Sequence, residues 1–130
     1  MTIETLAARP LGSDPCADDW VTVCALGDLP RERGAAALVD GRQVAIFRLL
    51  DDELAAICQR DPYSGAYVLS RGIVGSAKGL PTVASPMYKH VFDLRTGQCL
   101  ETHGADVRSV RVYPVRVVGG AVQIARATTP

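Results

Sequence analysis

The stretch ICQRDPYSGAYVLSRGIVGSAKGLPTVASPMYKHVFDLRT, residues Ile57 to Thr96, decides how the rest of the chain is read. It holds two short tips, Asp61-Pro62-Tyr63-Ser64-Gly65 and Ser85-Pro86-Met87-Tyr88-Lys89, each opening on a polar residue followed by proline. Asp and Ser side chains accept from backbone amides two residues on, and proline presets a turn, so both strings predict tight loops. Between them lies a strand pair's worth of chain bent around glycines. After the second tip, Val91-Phe92-Asp93-Leu94 predicts a strand that runs into the turn Arg95-Thr96-Gly97.

Working outward, the flanks read as short strands joined by turn chemistry. Upstream, Trp20-Val21-Thr22-Val23-Cys24 alternates like a strand, and Leu26 to Pro30 allows one helical turn stopped by proline. Ala35 to Val39 is ambiguous, because alanines favour helix. Asp40-Gly41 tips it toward a hairpin with Gln43 to Leu49, since Asp-Gly supplies the positive φ angles of a tight turn. Asp51-Asp52 turns the chain into Leu54 to Cys58, so this half predicts an antiparallel meander. Downstream, Cys99-Leu100-Glu101 returns from the Thr96-Gly97 turn. Val110 to Val117 alternates apolar and basic residues, the mark of a strand with one wet face. Pro114 within it cannot donate to a ladder and implies an edge or a bulge. Gly119-Gly120 closes a last hairpin with Ala121 to Ala125. The prediction is an all-β domain over residues 20–126, preceded by a poorly ordered arm over 1–19, with residues 57–97 forming a loop-bearing subdomain.

Composition narrows the function. The chain has 130 residues with 14 basic and 14 acidic side chains, so no net field draws it to nucleic acid or to acidic lipid. No apolar run approaches the roughly 18 residues of a membrane span. Met1 to Trp20 lacks a basic start, an apolar stretch and a small-residue cleavage site, so a cytoplasmic chain is expected. Cys16, Cys24, Cys58 and Cys99 form no Cys-x-x-Cys pair and match no zinc spacing. Cys24, Cys58 and Cys99 sit in apolar strand-like text, where cysteine behaves as a small buried hydrophobe. Cys16, in the arm, is the candidate exposed thiol. His90 and His103 stand alone, without a nearby nucleophile or third ligand, and no catalytic role is expected of either. Gly72-x-x-Gly75 has no strand-to-helix context and is not a phosphate loop.

The two tips, with the Phe92-Asp93-Leu94 segment after them, resemble the cluster-binding half of a Rieske protein, where the tips carry Cys-x-His and Cys-x-x-His. On that pattern Asp61 and Tyr63 fall on the first pair of ligands, and Ser85 and Tyr88 on the second. A Rieske [2Fe–2S] centre needs two thiolates on one iron and two imidazoles on the other. Asp, Tyr and Ser are hard oxygen groups that suit such a cluster poorly. The reading is a Rieske-like fold with a base subdomain, a loop subdomain and no metal.

Three strings in order are more specific: Asp61-Pro62-Tyr63-Ser64-Gly65-Ala66, Ser70-Arg71-Gly72-Ile73-Val74-Gly75, and Ser85-Pro86-Met87-Tyr88-Lys89. With the Trp20 start and the Tyr113-Pro114-Val115-Arg116 ending, they resemble the small subunit of bacterial assimilatory NAD(P)H-dependent nitrite reductase. The resemblance covers roughly Trp20 to Ile124. It implies an accessory chain with no redox centre of its own. Its large-subunit partner would carry FAD, a [4Fe–4S] cluster and sirohaem, and would reduce nitrite to ammonium with NAD(P)H. The candidate partner contacts are Tyr63, Ser64, Arg71, Pro86, Met87, Tyr88 and Lys89, since rigid aromatic side chains on scaffolded loops are common recognition elements.

Structural roles account for the same residues equally well. Asp61-Pro62 and Ser85-Pro86 serve as turn openers. Tyr63 and Tyr88 either meet a partner or pack on each other in the volume a cluster would take. Arg71-Gly72 could pin the loop through carbonyls, and Lys89 could be a solvated charge. The alternative function is a cluster-free module assisting a different oxidoreductase. A Rieske ferredoxin fits least, because all four ligands are replaced.

Overall fold

The computed structural model describes residues 20–102 and 104–125. The predicted arm, Cys16 and His103 lie outside the described residues. Ten strands form three antiparallel sheets: β1 (Trp20–Ala25), β2 (Arg33–Val39), β3 (Arg42–Arg48), β4 (Leu54–Cys58), β5 (Ile73–Ala77), β6 (Leu80–Ala84), β7 (Val91–Asp93), β8 (Cys99–Glu101), β9 (Val115–Val118) and β10 (Ala121–Ala125). Helical structure among the described residues is confined to two three-residue 3-10 turns, Leu26–Asp28 and Leu69–Arg71.

The sheet β2-β3-β4 is the middle layer. Its strands β3 and β4 carry the unbroken apolar runs Val44-Ala45-Ile46-Phe47 and Leu54-Ala55-Ala56-Ile57, every residue of which is buried. Because successive side chains point to opposite faces, such a run fills two cores at once. Val44, Ile46, Leu54 and Ala56 pack with Val115, Val117, Val122 and Ile124 of the sheet β1-β10-β9. Ala45, Phe47, Ala55 and Ile57 face Val83, Phe92, Leu94 and Cys99 of the sheet β5-β6-β7-β8.

Two expectations from the sequence change. The first strand does not open a meander with β2. It pairs with β10, from Trp20 opposite Ala125 to Ala25 opposite Ala121. Its half-buried Val21, Val23 and Cys24 cover the first core, and the Arg116 guanidinium lies 4.1 Å from the centre of the Trp20 ring. The 110–117 stretch is not one strand either. Pro114 cannot donate to a ladder, and β9 begins only at Val115. Residues 110–113 instead cross between layers: the Val110 amide donates to the Gly97 carbonyl at 2.8 Å, and the Tyr113 amide to that of Ala56 at 2.8 Å. Cys99 is buried as expected, whereas Cys24 and Cys58 are half-buried.

The hairpin turns follow their local chemistry. Asp40 and Gly41 both take positive φ, 52° and 79°, as a two-residue turn between β2 and β3 requires. Near the Asp51-Asp52 turn, Arg31 and Arg48 bond the Asp52 carboxylate at 2.8 and 2.9 Å, and the Arg31 bond foremost holds its pKa below the usual value.

Candidate functional site

The two tips leave the ends of strands and meet. Asp61 follows β4 and is fully buried; Ser85 follows β6 and is buried beside it. One Asp61 carboxylate oxygen accepts from the Tyr63 amide at 2.8 Å, closing the first tip as an Asx turn. The other accepts the Ser85 hydroxyl at 2.5 Å. Ser85 Oγ in turn accepts from the Met87 amide at 3.1 Å and closes the second tip. Both expected turn openers therefore act as such. They are also bonded to one another, a clasp between the loops.

The rings occupy the space around the clasp. Tyr63 stacks on His90, with centroids 3.8 Å apart and planes within 7°. Tyr88 meets the same histidine: its ring stands edge-on to His90 at 6.3 Å. The two tyrosines thus pack on His90, not on each other as the sequence alone allowed. Tyr63 also reaches Phe92 at 6.1 Å, which joins the tip to the second core. Its hydroxyl donates to the Asp106 carbonyl at 2.5 Å and accepts from the Arg108 amide at 2.8 Å. Burial first, and the nearby Cys99 thiol second, push the Tyr63 phenol above its ordinary pKa. The phenol stays protonated and keeps donating.

The outer end of the second tip is different. Pro86, Met87, Tyr88 and Lys89 are exposed, Tyr88 by 64%. Tyr88 and Lys89 both adopt positive φ, 58° and 57°. Non-glycine residues are uncommon there, and the conformation turns the chain sharply so that His90 enters the interior. Ile73, 76% exposed, sits opposite Ala84 in the β5–β6 register and extends the same apolar edge. Ser64 turns inward, its Oγ accepting from the Ala66 amide at 3.1 Å. Arg71 is exposed at the end of its 3-10 turn, and its guanidinium makes no hydrogen bond among the described residues. What pins that turn is Gly72, where an added Cβ would lie 2.4 Å from the Ala84 carbonyl oxygen.

Sequence reasoning missed His90, Asp106 and Arg108 as members of this site. Arg108 also bonds the Pro62 carbonyl at 3.0 Å, 46 residues away along the chain. Nothing local marks such a contact. His90 had one signal, its place directly before the Val91-Phe92-Asp93 strand, whose Phe92 and Asp93 are buried.

The donor set does not fit a [2Fe–2S] cluster. The four corresponding side chains offer oxygen where soft thiolate and imidazole are needed. Two of them, Asp61 and Ser85, are hydrogen-bonded to each other, and a third, Tyr63, is stacked and bonded elsewhere. Among the described residues no group of three or more His, Cys, Asp or Glu side chains is placed to hold a metal ion.

Comparison with known proteins gives the fold a family. Residues 19–125 match the family model described as a Rieske-like [2Fe-2S] domain. The nitrite reductase (NADH) small subunit of Salmonella typhimurium is 41% identical over 106 residues, covering 81% of this chain and 95% of that one. A Mycobacterium tuberculosis structure assigned as the small subunit of an NADH-dependent nitrite reductase is 46% identical with a TM-score of 0.77, covering 85% of this chain and 96% of its own. The nitrite reductase [NAD(P)H] large subunit of Klebsiella oxytoca contains a segment 39% identical over 105 residues. That match covers 81% of this chain and only 11% of the large subunit's length. The chain belongs to the Rieske-like domain family, among the small subunits of NAD(P)H-dependent nitrite reductase.

Proposed function

We propose that this chain is the accessory small subunit of a cytoplasmic NAD(P)H-dependent nitrite reductase, and that it supports a large subunit without holding a redox centre. The catalytic chemistry, nitrite to ammonium, belongs in this reading to a partner carrying FAD, a [4Fe–4S] cluster and sirohaem. The observation that carries it is the near full-length likeness to small subunits, joined to a tip whose ligand positions are filled by a hydrogen-bonded clasp. The Klebsiella segment supports a close association, since a related domain there is part of the large chain itself.

The docking surface in this reading is the second tip. Pro86, Met87 and Tyr88 offer rigid, partly apolar area, and Lys89 a charge at its rim. Tyr63 and Ser64 set the shape of the loops from behind, and Arg71 lies along the flank with Ile73. Residues 57–97 thereby act as the docking subdomain and the other two sheets as its base. Binding of the purified large subunit, measured by calorimetry, tests this. Tyr88→Ala and Lys89→Glu are expected to weaken it, Tyr88→Ala by about 1–2 kcal/mol, the scale of an interface aromatic. Both variants should keep the wild-type unfolding curve. Unchanged affinity in both would remove the tip from the interface.

A further inference from the structure

Away from the second tip, and bordering the first where the Arg60 guanidinium lies by Gly65, one cavity of about 370 Å³ is lined by Arg42, Arg60 and Arg111 together with Tyr67, Tyr113 and Cys58. The three arginines come from three separate segments: the start of β3, the chain just past β4, and the crossing segment before β9. Their convergence is set by the backbone. Val44 stands opposite Cys58, and the Gln59 amide bonds the Gln43 carbonyl at 3.1 Å. Continuing that register places Arg42 opposite Arg60. The Cys58 amide bonds the Arg111 carbonyl at 2.8 Å and brings the third arginine alongside.

Like charges directly opposite on neighbouring strands are destabilising. A surface of evenly mixed charge normally relieves them with a carboxylate. No Asp or Glu lines this cavity, although Asp40 precedes its rim at Gly41, and none of the three guanidiniums makes an ion pair or hydrogen bond among the described residues. The two comparable clefts differ: one is lined by Glu32, Asp51 and Glu53 beside Arg95, the other by Glu32 beside Arg33 and Arg71. Guanidinium is a planar fork of donors suited to bidentate binding of phosphate and carboxylate. Tyr67, 52% exposed, adds an aromatic face.

We propose that this cavity binds a small polyvalent oxyanion, of the phosphate or polycarboxylate class, between Arg42, Arg60 and Arg111. The bound anion would offset the repulsion that the folded register imposes. This site is independent of the docking tip.

The test is an amide-resolved NMR titration of the full chain with sodium pyrophosphate and, separately, citrate, with ionic strength held by sodium chloride. Saturable shifts should centre on Gly41 to Gln43, Arg60, Tyr67 and Arg111. Arg42→Gln and Arg60→Gln should each weaken the midpoint by about tenfold, the scale of one charge-assisted contact. Arg95→Gln should leave it unchanged. Tighter pyrophosphate assigns the site to phosphate compounds, and tighter citrate to polycarboxylates; either supports the proposal. Shifts that grow without saturating, that are equally large around Arg33, Arg71 and Arg95, or that persist unchanged in the glutamine variants would overturn it.

Discussion

The clasp between Asp61 and Ser85 can be measured as a coupling energy. Asp61 is 0% exposed and Ser85 1%, so neither side chain can exchange its partner for water. Hydrogen bonds to a carboxylate contribute about 1.5–3 kcal/mol net. Ser85→Ala removes that bond and the one from the Met87 amide, and strands a buried carboxylate oxygen, for an expected loss of about 2–4 kcal/mol. Asp61→Ala removes two bonds, to the Tyr63 amide and the Ser85 hydroxyl, but also spares the desolvation of a carboxylate. Its expected loss is about 2–4 kcal/mol. In the double variant the shared bond is lost only once, so the two losses should fall short of additive by about 1.5–3 kcal/mol. Urea unfolding at neutral pH reads this directly, provided the slopes of all four proteins agree. In a domain of this size each kcal/mol moves the melting temperature by about 4–8 °C, so the effect lies well above error. Asp61→Asn should lose less than Asp61→Ala, because its carbonyl oxygen still serves the Tyr63 amide. Losses that add within about 0.5 kcal/mol would refute the clasp and leave two unrelated turn openers.

Three further outcomes are expected. Phe92→Ala, at a fully buried ring under the tips, should cost about 3–5 kcal/mol by chemical denaturation. Gly65 and Gly97 both adopt positive φ, but an added Cβ at Gly65 meets only the Arg60 guanidinium at 3.5 Å, while at Gly97 it lies 2.1 Å from the Val110 carbonyl oxygen. Gly65→Ala should therefore lose about 1–2 kcal/mol from conformation alone, and Gly97→Ala clearly more; equal losses would contradict the packing of the crossing segment. The purified chain, prepared without air, should be colourless and iron-free; a brown protein with stoichiometric iron would require a centre the donor set does not suggest.

Turn chemistry was the most legible part of the fold because it acts over a few residues. Asp40-Gly41 and Gly119-Gly120 reverse the chain where the sequence places them, with the positive φ angles such turns need. One local pattern recurs: Asp61 to Gly65 and Asp93 to Gly97 are the same turn. In each, the Asp carboxylate accepts from the residue two on, the glycine amide bonds back to the Asp carbonyl at 2.8 Å, and a Ser or Thr oxygen accepts from the residue after the glycine. What the sequence withheld was long-range. The β1–β10 pairing joins the two ends of the described chain, and no alternation within Trp20 to Cys24 says which strand it will meet.

The site shows why a correct local reading can still be incomplete. Asp61-Pro62 is fully accounted for as a turn opener, and that reading gives no reason to seek more. Yet an Asx turn uses one carboxylate oxygen and leaves the other to be satisfied, since a buried polar atom without a partner is costly. On an exposed loop water would serve. At 0% exposure bulk water cannot, and the Ser85 hydroxyl, 24 residues on, does so. Burial of Asp61 thus implies a second partner before the partner is known, and burial is what the local string does not encode. The same reasoning extends to Tyr63, whose stacked ring demands a partner for its hydroxyl and finds two in the 106–108 segment. Asp61, Ser85 and Tyr63 are each held by a bond their own loop cannot supply, while Met87, Tyr88 and Lys89 form the exposed end of the second tip.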